Sequence, residues 1–246
     1  MKELSVSESV SQGWEFAKQH GLMLAVFVLI LYIVNSLLNT LTMPADFWDN
    51  YMKALSDPQS AQDFQTWMAA STSTTLGFVV SIIIDIIQVI FYAGFTATVL
   101  KLVRGTMEKV SFDGWKMSAM TYLKYFAVIF IVGLVTVIGL FLCILPGIFI
   151  GTRLAFADWY ILDHPEAGIG DALKASWNMT SGNFWSVLGM IVTEAAIVLI
   201  GFMCCCIGVL FAIPFACFVE GCAYKMLNAD FIDEAPVVGG YVQNER

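Results

Sequence analysis

The sequence predicts an all-α membrane protein of six transmembrane helices, arranged as three hairpins that are each preceded by an amphipathic interfacial helix. Three observations predict this fold class. The chain contains six long apolar stretches, it carries few charges, and its basic residues fall in alternate connections between the stretches. Apolar residues make up 59% of the chain and charged residues only 13%, whereas a soluble domain carries roughly 25% charged residues.

The lengths of the apolar stretches determine the number of predicted spans. A helix needs about 20 apolar residues, with a range of about 17 to 25, to cross the hydrocarbon core. Five stretches fit this length, and the fourth reaches only about 22 Å at 1.5 Å per residue. We count the fourth as a span because only Pro146-Gly147 separates it from the third, so that the two form a hairpin. The stretches comprise residues 21–41, 76–100, 126–145, 148–162, 184–203 and 207–224.

The distribution of lysine and arginine predicts the orientation of the chain. Basic residues concentrate in cytoplasmic connections of membrane proteins. The predicted outer side carries only Lys53, and Arg153 lies within a span. All the others fall before the first span, between spans two and three, between spans four and five, or after span six. We therefore expect both termini in the cytoplasm, no cleavable signal peptide, and a multi-pass protein of a bacterial inner (plasma) membrane.

Three segments of the chain resemble each other. Each opens with a short amphipathic stretch in which a small residue precedes tryptophan, and each continues into an outward and an inward span. The pairs are Gly13-Trp14, Gly114-Trp115 and Ser176-Trp177. A constant offset of 62 aligns the second segment with the third, so that Trp115 matches Trp177, Cys143 matches Cys205 and Asp158 matches Glu220. A threefold repeat explains this pattern, and chance similarity between apolar helices is the alternative.

The three tryptophans of these stretches are predicted interfacial anchors. Trp14, Trp115 and Trp177 recur beside charged residues at helical spacing, and tryptophan prefers the headgroup region of a bilayer. The plain interpretation is an anchor that fixes topology. Lipid recognition is the more specific alternative.

The remaining segments complete the predicted domain organisation. Residues 1–227 form one polytopic membrane domain, and residues 228–246 form an acidic cytoplasmic tail that we expect to be disordered. Residues 42–73 form an outer insert, which is aromatic enough to predict a short helical cap starting at Ser56-Asp57-Pro58. The four aspartates of the insert lack the spacing of a calcium loop, so no metal site is predicted.

Ionisable residues inside the predicted spans form the candidate site. Each charge costs about 2.5 to 3.5 kcal/mol at the centre of a membrane helix, so each needs a reason to be there. One interpretation is a polar interior that serves as a proton or cation relay or as a cavity for a polar substrate. The other is structural, with Arg153 paired to one carboxylate and the remaining acids neutral or reaching the interface. The candidate residues are Asp85, Gln88, Arg153, Asp158, Glu194 and Glu220.

The sequence lacks the motifs of an enzyme. It contains no H-E-x-x-H, G-x-S-x-G, P-loop or G-x-G-x-x-G pattern, and its only histidines are His20 and His164. No cofactor is predicted, and no basic stripe exists for nucleic acid. A disulfide between Cys143 and the Cys204–Cys206 run is conceivable in an oxidising periplasm, although buried free cysteine is equally ordinary in a span.

Three quoted segments carry a resemblance to a known group. They are residues 145–157 (LPGIFIGTRLAFA), 171–177 (DALKASW) and 181–185 (SGNFW). The chain resembles uncharacterised bacterial six-helix inner-membrane proteins, namely the YciC-like proteins and the membrane domain attached to some glycerophosphodiester phosphodiesterases. The resemblance covers most of the chain and implies the hairpin fold, but little about activity. The catalytic activity does not carry over because no soluble phosphodiesterase domain is attached.

The function class that these observations favour is a non-enzymatic membrane protein. We expect it to interact with the lipid bilayer and with a membrane or periplasmic protein partner, and its oligomeric state is open. The alternative is a small proton- or cation-linked transporter or channel that uses the intramembrane carboxylates.

Overall fold

The structure is a computed structural model that describes residues 3–42, 46–56, 58–72, 75–203 and 207–228. These residues are helical almost throughout, and no strand occurs among them. The α-helices are α1 (Val6–Thr42), α2 (Phe47–Ala54), α3 (Pro58–Thr72), α4 (Thr75–Arg104), α5 (Ala119–Leu142), α6 (Ile144–Arg153), α7 (Ala157–Asp163), α8 (Ile169–Met179), α9 (Phe184–Met203) and α10 (Ile207–Leu227).

Five helices of the described chain are long and apolar enough to cross a membrane: α1, α4, α5, α9 and α10. Much of their apolar surface is exposed, as is expected of helices whose solvent is lipid. The prediction of an all-helical chain is confirmed for the described residues, and five of their helices suit a multi-pass membrane protein. The arrangement as six spans in three hairpins stays a prediction.

The fourth predicted span is interrupted in the structure. It consists of α6 and α7, which are about 15 Å and 10 Å long and each too short to cross a bilayer. The tight turn expected at Pro146-Gly147 lies instead at Cys143, whose backbone is extended between α5 and α6. Pro146 falls in the first turn of α6, where its missing N–H has no intrahelical partner to lose.

The interfacial helices also differ from their prediction. The stretch around Trp14 is not a separate helix, because α1 continues without a break from Val6 to Thr42. The stretch around Trp115 contains only a short 3-10 turn, Phe112–Trp115, before α5 begins. Only the third stretch forms a separate α-helix, α8. Amphipathic spacing alone therefore did not determine where one helix ends and the next begins.

The chain divides into two compact units, of which unit 1 comprises Met1–Val28 and Tyr92–Arg246. Within it α5 packs against α6, α9 packs against α10, and α7 lies on α5 and α8. The first turns of α1 pack on α10, where the rings of Trp14 and Phe215 are 5.4 Å apart. The fully buried side chains Phe156, Trp159 and Tyr224 form the centre of this unit, with ring centroids about 6 Å apart.

The small residues before the three tryptophans occupy matching positions in unit 1. A Cβ atom on Gly13 would lie 2.9 Å from Val219 of α10, and one on Gly114 would collide with Thr98 of α4. Ser176 is hydrogen-bonded to the backbone between α6 and α7. Gly13 and Gly114 thus allow close approach to α10 and α4, whereas Ser176 contributes hydrogen bonds at the break between α6 and α7.

Unit 2 comprises Leu29–Phe91. Its α2 and α3 pack on each other through aromatic rings, so the described residues between 46 and 72 are helical, as predicted for the insert. The cluster consists of Phe47, Trp48, Tyr51, Phe64 and Trp67. Pro58 is the first residue of α3, as the Ser56-Asp57-Pro58 signal predicts. Asp57, the Cys204–Cys206 run and the acidic tail beyond Asn228 lie outside the described residues.

Candidate functional site

Three carboxyl groups from different helices converge inside unit 1. Asp158 lies at the start of α7, Glu194 in the middle of α9 and Glu220 in the last third of α10. Glu220 interacts electrostatically with both other carboxyl groups, and the thiol of Cys217 is in electrostatic range of all three. We call Asp158, Glu194 and Glu220 the carboxylate cluster.

The three carboxyl groups of the cluster differ in their hydrogen-bond partners. The side chain of Trp159 hydrogen-bonds Glu220, and the carboxylate of Asp158 lies against the backbone amides at the beginning of α7. Tyr125 of α5 is in electrostatic range of Asp158 and Glu220 and is hydrogen-bonded to Thr96. In contrast, Glu194 Oε1 is buried without a hydrogen-bond partner among the described residues. A buried polar oxygen without a partner is costly and calls for an explanation.

The interruption between α6 and α7 determines where Asp158 lies. The carbonyl oxygen of Arg153 accepts a hydrogen bond of 3.0 Å from Ser176 Oγ and lies 3.1 Å from Thr180 Oγ1. The amide of Phe156 donates to Ser176 Oγ at 3.1 Å. The hydroxyl groups of Ser176 in α8 and of Thr180 directly after it therefore replace the backbone hydrogen-bond partners that the break removes. The break makes Asp158 the second residue of a new helix, where its carboxylate faces free amide groups.

Arg153 does not join the carboxylate cluster. Its guanidinium carbon lies 4.8 Å from the ring centre of Trp177 and 5.6 Å from that of Phe149, which is cation–π geometry. Its Nη1 makes only long contacts to Trp177 O and Thr180 Oγ1, at 3.4 and 3.5 Å. Among the described residues no carboxylate forms a salt bridge with it. The structural interpretation of Arg153 as the partner of an acid is not supported by this geometry.

The other candidate residues lie apart from the cluster. Asp85 and Gln88 belong to unit 2, and the side chain of Asp85 is exposed. Gln88 lines a narrow apolar groove between α1 and α4 of that unit. Of the six candidates, the geometry thus brings together Asp158, Glu194 and Glu220.

The predicted anchors have different environments. Trp14 is 53% exposed and Trp177 is 39% exposed, as suits residues at an interface. Trp115 is partly buried instead, and it stacks on Phe27 at 5.3 Å. Its indole also fills the space over Gly94. Trp115 therefore has a packing role in unit 1 whatever it contributes at a membrane surface.

A polar layer that sequence reasoning missed ties the helix ends of unit 1 together. Asp163, at the end of α7, is fully buried and lies 2.8 Å from Arg104 at the end of α4. It also accepts hydrogen bonds from Tyr224 Oη at 2.9 Å and Asn228 Nδ2 at 3.2 Å. Asp163 was not singled out from the sequence, where it directly follows the fourth apolar stretch, residues 148–162.

Two further lysines belong to the same layer. Lys225 donates to Val103 O at 3.0 Å, and Lys124 donates to Pro165 O and Ala167 O at 2.7 and 2.9 Å. With Lys101, Arg104 and Lys116 they cluster where α4, α7 and α10 end and α5 begins. We call this side of unit 1 the basic end.

Comparisons with known proteins identify similar chains of unknown activity. The chain is 25% identical over 239 residues to "Uncharacterized protein Rv2560" of Mycobacterium tuberculosis, covering 94% of this chain and 71% of that protein. "Uncharacterized protein Mb2590" of Mycobacterium bovis is 24% identical with the same coverage. No protein-family model matches, and neither does any solved structure. These comparisons show no relationship to the YciC-like proteins or to phosphodiesterase-linked membrane domains.

Proposed function

We propose that this chain is a non-enzymatic, multi-pass protein of a bacterial inner membrane that acts by binding lipids of the cytoplasmic leaflet. In this proposal α6 and α7 together make the fourth crossing, which is discontinuous and brings the number of crossings to six. The basic end faces the cytoplasm. Discontinuous helices are tolerated at membrane depth where their free backbone groups are satisfied by protein. The hydroxyl groups of Ser176 and Thr180 do this for the backbone at Arg153 and Phe156.

The basic end is the observation that carries the proposal. Five cations lie at one side of unit 1. Four are at the ends of helices that are long and apolar enough to span, and Lys116 lies in the connection before α5. Anionic lipids of the cytoplasmic leaflet attract such residues by about 1 kcal/mol for each lysine or arginine near the surface. The five residues are Lys101, Arg104, Lys116, Lys124 and Lys225.

Lipid retention tests this proposal. The full chain is reconstituted in nanodiscs that contain phosphatidylcholine and phosphatidylglycerol in equal amounts, and the lipids that stay bound after release are counted by native mass spectrometry. We expect enrichment of phosphatidylglycerol over its share in the nanodisc. Retention in proportion to the mixture would refute a role that depends on anionic lipid.

An envelope partner is the second part of the proposal, and the helices α2 and α3 of unit 2 are its expected contact surface. The aromatic cluster of α2 and α3 leaves Trp48 65% exposed, and aromatic residues are enriched at protein interfaces. A photo-crosslinking residue at Trp48 should give a discrete adduct in cells, whereas one at Leu123 of α5, which is also exposed, should not. Equal labelling at both positions would contradict a partner at this surface.

Proton- or cation-linked transport is a second candidate function. It is favoured by the carboxylate cluster beside a broken helix, since transporters build ion sites at such breaks. Asp85 does not support this candidate function, because its side chain is exposed. In proteoliposomes that contain a pH-sensitive dye, the wild-type chain should dissipate an imposed pH gradient faster than empty liposomes. Glu194→Gln and Glu220→Gln should abolish this effect, and Asp85→Asn should retain it. Equal rates with and without protein would exclude proton transport.

A further inference from the structure

A cleft opens at the basic end of unit 1, between the end of α4, the connection to α5 and the end of α7. Its volume is about 410 Å³. Its polar lining consists of Lys101, Arg104, Thr106, Lys116, Ser118 and Asp163 among others. Its apolar lining includes Leu100, Met117 and Leu162. We call this space the basic cleft.

The charges around the basic cleft favour an anion. Three cations line it and only one carboxylate does. That carboxylate, Asp163, is buried and already engaged by Arg104, Tyr224 and Asn228. It therefore neutralises Arg104, and the two lysines share one further carboxylate, that of Asp113, so that one positive charge remains in excess around the cleft.

The two lysines are held at the rim by contacts with the 3-10 turn. Lys101 Nζ donates at 2.7 Å to the carbonyl oxygen of Asp113 and also lies within electrostatic range of the Asp113 carboxylate. Lys116 forms a 2.7 Å salt bridge with the Asp113 carboxylate, but its side chain is 77% exposed. An exposed pair of this kind contributes little, so an incoming anion can share or replace Asp113 as partner of Lys116.

We infer that the basic cleft is a binding site for the phosphate group of an anionic lipid headgroup. The inference rests on the proposed role in lipid binding and names the site and the chemical group. Lysine and arginine donors suit phosphate oxygens because charge-assisted hydrogen bonds are about twice as strong as neutral ones. Ser118 and Thr121, whose hydroxyl oxygens lie 2.9 Å apart, offer additional hydroxyl groups beside the cations.

The lining favours a lipid over free phosphate as the source of that group. The cleft lies where α4 ends and α5 begins, which is the depth of the headgroups if these helices span. Its leucine and methionine side chains provide an apolar wall that a glycerol backbone or acyl chain can cover, and an inorganic ion cannot. A lipid would therefore bury apolar surface in addition to making the phosphate contacts.

A paired substitution tests the site. Lys101→Gln with Lys116→Gln removes two rim charges, while Lys109→Gln with Lys174→Gln removes two exposed charges outside the lining. In nanodiscs of mixed phosphatidylcholine and phosphatidylglycerol, we expect the first pair to lower phosphatidylglycerol retention by about tenfold, equivalent to about 1.4 kcal/mol. We expect the control pair to retain the wild-type level. Thr106→Glu, which adds a negative charge to the lining and keeps both lysines, should also lower retention.

The outcomes separate this inference from the proposed function. Absence of phosphatidylglycerol preference in the wild-type chain would refute the proposed function itself. A preference that survives Lys101→Gln with Lys116→Gln and also Thr106→Glu would refute the basic cleft while leaving lipid binding intact. An equal loss in the control pair would show a diffuse charge effect and would likewise overturn the site. In detergent, inorganic phosphate that displaces short-chain phosphatidylglycerol at equal concentration would refute the lipid as source.

Discussion

Arg104 and Asp163 join two helix ends that are 59 residues apart in the sequence. Arg104 Nη2 lies 2.8 Å from each carboxylate oxygen of Asp163, which is fully buried, while the arginine remains 23% exposed. The carboxylate also accepts hydrogen bonds from Tyr224 and Asn228. One side chain thus holds the ends of α4, α7 and α10 together, beside the cleft that we assign to a lipid phosphate.

Removal of this carboxylate should destabilise the protein. Asp163→Ala leaves Arg104 without its buried partner, and breaking a buried pair in this way costs about 3 to 5 kcal/mol. We expect a clear fall in the thermal midpoint, measured by scanning fluorimetry in detergent. Glu166→Ala, at an exposed position three residues on, is the control and should leave the midpoint unchanged. An unaltered midpoint for Asp163→Ala would show that the hydrogen-bonded layer does not hold the helices.

The break between α6 and α7 should depend on hydroxyl groups of α8. Ser176→Ala leaves the amide of Phe156 without its acceptor, and a buried group left unsatisfied costs about 1 to 3 kcal/mol. Ser176→Ala with Thr180→Val should therefore lower the thermal midpoint more than either change alone. Ser181→Ala removes a hydroxyl that bonds only within its own helix end. A loss for Ser181→Ala as large as that for Ser176→Ala would contradict the role of these hydroxyls at the break.

Gly114 should tolerate no side chain. A Cβ atom there would collide with Thr98 and with the backbone of α4, so Gly114→Ala should destabilise the chain by about 1 to 3 kcal/mol through overpacking. Gly133→Ala, at a helical glycine with no atom within 4 Å of its added Cβ, is the matched control. Comparable expression and thermal stability of the two variants would mean that the close approach of the 3-10 turn to α4 does not occur.

The orientation of the chain can be tested by labelling single cysteines on a cysteine-free background. A cysteine that replaces Lys109, which is exposed between α4 and α5, should react only from the cytoplasmic side. A cysteine that replaces Lys53, which is exposed at the end of α2, should react only from the outer side. A membrane-impermeant maleimide on sealed vesicles of known orientation distinguishes the two. Reaction of position 109 from the outer side would overturn both the orientation and the assignment of the basic end to the cytoplasm.

Asp113 and Lys116 should not make lipid binding in the basic cleft depend on pH near neutrality. The hydrogen bond and charge of Lys116 hold the pKa of Asp113 below its usual value of 3.8, and the same pair raises the pKa of Lys116. Because the pKa of Asp113 is lowered in the folded protein, the pair with Lys116 is fully present above the unfolded pKa of Asp113. It is lost only as pH falls through the lower folded pKa. Neither group therefore titrates between about pH 5 and pH 8.

A phosphate monoester does titrate in this range, since its second pKa is about 6. Retention of phosphatidic acid should consequently rise between pH 5 and pH 8, while that of phosphatidylglycerol, a diester, should stay constant. Native mass spectrometry at both pH values measures this difference. A parallel rise for both lipids would point to a titrating group of the protein, such as His164 beside Asp163. Constant retention of phosphatidic acid would contradict binding through its phosphate group.

Parts of the candidate site could be predicted because their signals are local in sequence. The offset of 62 paired Asp158 with Glu220, and the structure brings these two residues together with Glu194. Asp85 had the same signal, an acid in an apolar stretch, yet its side chain is exposed. The sequence shows that a charged residue lies within a span, but it does not show which neighbouring helix the side chain faces.

The sequence by itself determined that the chain is helical, that it is suited to a membrane, and which connections are basic. The physical reason is that span length and charge placement depend on the thickness and surface potential of the bilayer, which act on each segment separately. Only the tertiary structure decided that the fourth span breaks after Arg153, since the break requires Ser176 and Thr180 of another helix. It likewise decided that Asp163 meets Arg104, because such contacts arise from packing between segments distant in sequence.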